Sequence, residues 1–214
     1  MKGLCISYLI NVLKEEKWAF SGLAAIGIII SLFADSQVLL YGYVVLLSVS
    51  VIYLILQVLV SNESVVCWDQ YEMILPISPY KTILAKYVFS SIFAGLCLFY
   101  IVILLYVADF RNGSYFLDLG IKDALTLVCM SFSFMLDSLA AFFITSHGIL
   151  KIYKSYRILT SLIFSTAFLA FMIFIANEKE MSLSIGRIFF MAISLAVYLL
   201  SYFIVLLQYR MRKE

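Results

Sequence analysis

Residues 69–87 read DQYEMILPISPYKTILAKY. The stretch lies between two apolar runs, Val38–Val60 and Val88–Ala108. Together with Glu63 just upstream, this interval carries three acids (Glu63, Asp69, Glu72), two lysines (Lys81, Lys86) and the only two prolines of the chain, Pro76 and Pro79. Long apolar runs on both sides of a polar, proline-broken segment divide the chain into membrane spans and a loop, and the rest of the sequence fits that division.

The 214 residues are 64% hydrophobic and 13% charged, with a mean hydropathy of +1.06. Soluble domains are about 45–50% apolar and about 25% charged, so the solvent implied here is lipid. The net charge of +2 is too small to point to a nucleic-acid partner. A membrane helix needs about 20 apolar residues, with a range of roughly 17–25. Six runs qualify: Trp18–Ala34, Val38–Val60, Tyr87–Ala108, Ala124–Thr145, Ile158–Ala176 and Ile188–Leu207, the first being short. Barrel strands would alternate over about 10 residues, whereas these runs are continuous. The predicted fold is therefore all-α, a polytopic membrane protein of six transmembrane helices forming one domain over residues 1–214.

Lysine and arginine placement sets the expected orientation. With the N-terminus inside, the inner segments hold Lys2, Lys14, Lys17, Lys81, Lys86, Lys151, Lys154, Arg157, Arg210, Arg212 and Lys213. The outer segments hold Arg111, Lys122, Lys179 and Arg187. The bias puts both termini, and the 62–78 segment, in the cytoplasm. The outer loops are Ala34–Gln37, Asp109–Asp123 and Asn177–Arg187, all short.

Residues 1–16 lack the continuous apolar core of a signal peptide. Leu4, Cys5, Tyr8, Leu9, Val12 and Leu13 fall at helical spacing, with Lys2, Ser7, Asn11, Lys14 and Glu15 elsewhere. That pattern predicts an amphipathic interfacial helix before Trp18 anchors the first span; the competing reading is a frayed polar tail. The four cysteines, Cys5, Cys67, Cys97 and Cys129, form no C-x-x-C pair and imply neither a disulfide framework nor a zinc site.

Familiar catalytic signatures are absent. There is no G-x-x-x-x-G-K-[ST] to cradle nucleotide phosphates, no H-E-x-x-H and no G-x-S-x-G. The single histidine, His147, stands before Gly148 at the inner end of the fourth span, where a cation followed by glycine ends a helix in the ordinary way. One residue is out of place. Asp137 lies about 4 Å from the midplane of the fourth span at a rise of ~1.5 Å per residue, where an aspartate costs about 2.5–3.5 kcal/mol on insertion scales. Ser133 and Ala141 share its face. It reads either as a polar lining of a translocation path or protonatable relay, or as a hydrogen-bonded contact between helices, with Gln57 of the second span a candidate partner.

Within the opening stretch, Pro76 forbids a helix through Met73–Leu75 and pushes Leu75 out of helical angles. Ser78 reads as an N-cap and Pro79 as the first helical residue. The new helix, Pro79–Ala108, runs into the third span with Lys86 expected to snorkel at the interface. Upstream, Val65, Trp68, Tyr71 and Leu75 fit one helical face and Asp69, Gln70 and Glu72 the other. The segment is thus short helix, break, new helix: a structured foot. The plainer alternative is a solvated loop whose aromatics sit among headgroups.

Glu63, Trp68, Tyr71, Leu75-Pro76-Ile77-Ser78, Ile83, Lys86 and Tyr87 resemble the E…W..Y…LPIS…I…KY signature of small permeases of ABC type-2 transporters. The layout of the whole chain is similar too. Pro79 and Tyr80 stand where that family commonly has a basic residue, and Lys81 comes later. The resemblance implies that the foot is a coupling helix, gripped by a separate ATP-hydrolysing subunit whose closure moves the third span. On this reading Tyr71, Met73, Ile74 and Leu75 make the buried contact, Asp69, Gln70 and Glu72 set charge complementarity at its rim, and Trp68 and Pro76 belong to the same coupling segment. The implied assembly holds two ATPase copies and a second permease, identical or related, in a bacterial-type plasma membrane. ATP and Mg belong to the partner, and this chain binds no cofactor and no metal. The implied activity is export, with an amphipathic peptide or other hydrophobic compound as cargo. Two other classes stay open: a secondary transporter or channel with Asp137 as its ion or proton site, and a membrane scaffold subunit.

Overall fold

The computed structural model describes residues 6, 10, 12, 14, 16–33, 37–65, 79–112, 115–147, 154–178 and 183–211. Among these every element is helical: α1 (Lys17–Phe33), α2 (Gln37–Val65), α3 (Pro79–Asn112), α4 (Tyr115–His147), α5 (Lys154–Glu178) and α6 (Leu183–Met211). Five of them, α2 to α6, are long and apolar enough to cross a membrane, and α1 is a shorter apolar helix of 17 residues. The chain is a polytopic helical bundle.

The local chemistry explains several boundaries. Pro79 opens α3, as its fixed φ and missing N–H favour at a first helical position. α4 ends at His147, immediately before Gly148. Before α1, residues 6, 10, 12 and 14 are helical, and Val12 is buried while Ile6 and Ile10 are exposed. The Glu16 N–H bonds the Val12 carbonyl and the Phe20 N–H the Glu16 carbonyl, so the turn before Lys17 continues into α1. The remaining residues of the expected interfacial helix lie outside the described set.

Three expectations need correction. The third and fourth spans are parts of longer helices. α3 runs on to Asn112 and α4 begins at Tyr115, so most of the expected Asp109–Asp123 loop is helix. Arg187 is not a loop residue; it lies within α6, largely buried, with Nε donating to Thr126 Oγ1 of α4 at 2.8 Å. Lys86 does not snorkel: it is 2% exposed, among the largest fully buried side chains of the protein. All three departures have one cause. Hydropathy marks where lipid begins and ends, not where helical hydrogen bonding stops or which face of a helix meets protein.

α4 is the hub, packing against α2, α3, α5 and α6. Residues 133–143 of α4 are buried on every side, the mark of a helix enclosed by others rather than facing solvent. Around it pack Leu47, Val51, Ile55 and Leu59 of α2 and Ile101 and Leu104 of α3. α5 and α6 turn Phe164, Phe171, Phe174, Leu199 and Phe203 outward, as a bundle bathed in acyl chains can without cost.

α1 sits on the flank, on α2 and α3. Its attachment is unusual for being polar. The Tyr43 hydroxyl of α2 donates to the Leu23 carbonyl, and the Tyr100 hydroxyl of α3 donates to the Ala24 carbonyl at 2.5 Å. Gly27 makes room for both: a Cβ there would stand 2.6 Å from Tyr100 Oη and 2.9 Å from the Tyr43 ring.

Candidate functional site

The foot residues Trp68, Asp69, Gln70, Tyr71, Glu72, Met73, Ile74, Leu75 and Pro76 lie outside the described residues, as do Glu63's side chain and Ser78. What is described is the base on which the segment stands, the end of α2 at Val65 and the start of α3 at Pro79.

That base is tightly built. Ile83 and Tyr87, one turn apart on α3, are buried together with Lys86. The Tyr87 ring stacks on Phe143 of α4 at 4.1 Å and 21°. It also meets Tyr198 and Tyr202 of α6 at 5.1 and 5.2 Å, the latter edge-on. Such offset and edge-to-face pairs add about 0.5–1.5 kcal/mol each beyond their area. Hydroxyls then fix the rotation of the helices. Tyr87 Oη shares a 2.9 Å hydrogen bond with Ser201 Oγ, Tyr198 Oη donates to the Tyr87 carbonyl at 3.0 Å, and Ser91 Oγ lies 2.9 Å from Tyr198 Oη. Within its first three to four turns α3 is therefore locked to both α4 and α6.

Further along, the parallel helices α4 and α6 share a polar seam. Asp137 is 1% exposed, and its Oδ2 accepts a hydrogen bond from Ser194 Oγ at 3.0 Å. Asp137 Oδ1 and the Ser133 Oγ one turn away have no partner among the described residues, and Ala141 is buried on the same face. Arg187–Thr126 is the second rung of this seam. On the α5 side, Ser138 Oγ lies 2.8 Å from Ser165 Oγ. Gln57 is half-buried on α2 and makes no hydrogen bond to Asp137. The candidate partner Gln57 is thus not the one that Asp137 bonds; Ser194 is. Among the described residues, no three His, Cys, Asp or Glu side chains gather as a metal site would require.

Sequence reasoning missed the α6 contribution. The signal was present as a stripe: Phe190, Ser194, Tyr198, Ser201 and Val205 recur at steps of four and three, and all are buried. Small and hydroxylated residues at that spacing mark a helix–helix interface in lipid, where Leu and Phe carry no such information.

The described residues thus form a bundle of long apolar helices around a central one. Residues 3–210 match the family model described as ABC-2 family transporter protein, and the chain belongs to that family. It is an ABC-2 type membrane subunit, a multi-pass protein of a family that is generally non-enzymatic and associates with an ABC ATPase. No curated protein and no solved structure matches the chain.

Proposed function

We propose that this chain is the permease subunit of an ATP-binding cassette exporter, forming the translocation path with a second, identical or related permease and coupling through residues 62–78 to a pair of ATPase subunits. ATP and Mg act on those partners, and this chain carries no catalytic residue. Both termini and the foot face the cytoplasm of a bacterial-type plasma membrane. The cargo is an amphipathic peptide or another hydrophobic compound, in keeping with the aromatic-rich, almost uncharged spans.

One observation carries the coupling reading. α3 starts at Pro79, directly after the foot, and is a single helix to Asn112 whose base is clamped by Tyr87 to α4 and α6. A push on the foot then has one stiff route into the bundle. The burial of Asp137 between α4 and α6, with Ser194 as partner, favours a helix contact over the ion site that a secondary transporter would need. The test is pull-down of the ATPase with full-length permease in detergent, with ATP hydrolysis measured alongside. Leu75→Asp or Glu72→Arg places a wrong charge on the proposed contact and should cost about 2–5 kcal/mol of docking, losing the complex while all spans stay inserted. Partner affinity equal to wild type in both variants would return the segment to a solvated loop.

A further inference from the structure

Buried serines in this bundle commonly spend their hydroxyl on their own helix. Ser48, Ser90, Ser161 and Ser201 each donate to a carbonyl three or four residues back. Ser133 of α4 does not. It is 0% exposed, and its Oγ has no partner among the described residues. Asp137, one turn on, is 1% exposed, and its Oδ1 is in the same condition while Oδ2 takes the Ser194 hydroxyl. These are the two such oxygens on α4 among the described residues. Residues four apart on a helix have Cβ atoms about 5–6 Å apart, and two hydrogen bonds of ~2.8 Å laid end to end cover that interval. The two oxygens do not bond each other, so an atom set between them is placed to reach both.

We infer that one ordered water bridges Asp137 Oδ1 and Ser133 Oγ and completes the polar seam between α4 and α6. The chemistry of the two oxygens selects this occupant. A carboxylate oxygen asks for a donor, a serine hydroxyl both gives and accepts a proton, and water meets both at once. A hard metal cation asks for about six oxygens. The carbonyls along this stretch are engaged in an unbroken helix from Tyr115 to His147, and no three acidic, histidine or cysteine side chains gather among the described residues. The carboxylate repels an anion. Larger molecules are kept out by packing, since residues 133–143 are buried on every side. A buried water typically makes about three hydrogen bonds, and the second lone pair of a helical carbonyl serves for the third. The inference concerns this seam alone and does not depend on the coupling role of residues 62–78.

The test is a crystal structure of the full-length chain grown from a lipid mesophase, at a resolution that shows ordered water, with matched crystals in sodium and in rubidium chloride. The expected result is a single density peak about 2.8 Å from both Asp137 Oδ1 and Ser133 Oγ, the same in both salts and without anomalous signal from rubidium. In Ser133→Ala the peak should be lost, because one side-chain partner is below the two to four that a buried water needs. Ser194→Ala, which frees only Oδ2, should keep it. Three results overturn the inference: Ser133 Oγ bonded to the Cys129 carbonyl or directly to Asp137 with no peak between, a rubidium signal at the site, or a peak that survives in Ser133→Ala.

Discussion

The two seams of this bundle are built on opposite plans. Where α3, α4 and α6 meet, rings stack, hydroxyls bond side chain to side chain, and an aspartate is buried with a serine as its partner. Where α1 meets α2 and α3, two tyrosine hydroxyls catch backbone carbonyls, a glycine lets them close, and a cavity remains. In lipid, apolar surface gains little by leaving acyl chains for protein, so packing and polar bonds decide which helices associate. The first seam has both in quantity, whereas the second has polar hooks and little packing. The difference marks α3, α4 and α6 as one unit and α1 as an attached flank.

Substitutions that break this contrast can be ranked. Tyr87→Ala removes the ring that touches three aromatic neighbours and should destabilise the full chain by about 3–5 kcal/mol, the range for large-to-small core changes, read by equilibrium unfolding in mixed micelles. A loss below about 1 kcal/mol would show that the clamp is not the centre of the bundle. Gly27→Val comes next. Its Cβ would collide with two tyrosines, and overpacking of that kind costs about 1–3 kcal/mol. The damage should stay local, with α1 becoming protease-sensitive while the α4–α6 contact survives; global unfolding in this variant would erase the distinction between flank and unit. Tyr100→Phe should cost less, about 0.6 kcal/mol, the average for a hydrogen bond between membrane helices, because the Ala24 carbonyl keeps its own helical bond. Smallest is Asp137→Asn, which retains an acceptor for Ser194. It should leave stability nearly unchanged and leave ATP-driven uptake into inverted vesicles at the wild-type rate. Lost transport with intact assembly would move Asp137 from the seam to a translocation path.

The helices themselves were legible because a membrane demands long apolar runs, and Pro79 announced the start of α3. Helix ends were less so: Asp109–Asp123 is polar enough to look like loop, yet hydrogen bonding continues through most of it. Facing was hardest. Lipid-facing and core-facing residues are equally apolar, so Phe143 and Phe171 look alike in sequence although one is buried and the other exposed. Serines and tyrosines were the informative letters, as Ser194 and Tyr198 show. Asp137 stood out by its cost in lipid, but its partner Ser194 did not, and Gln57 was only one candidate, since nothing in the spacing of two separate helices says which will touch.

The length of α3 has a geometrical consequence. Its 34 residues span about 51 Å at ~1.5 Å per residue, well beyond the ~30 Å hydrocarbon core. Such a rod magnifies angle into distance. A tilt of about 5° about Pro79 shifts Asn112 sideways by about 4 Å over that length, almost the pitch of one helical turn. Small rotations at one face of the membrane, carried by α3 with the helices clamped to it, therefore become displacements of several ångströms at the other.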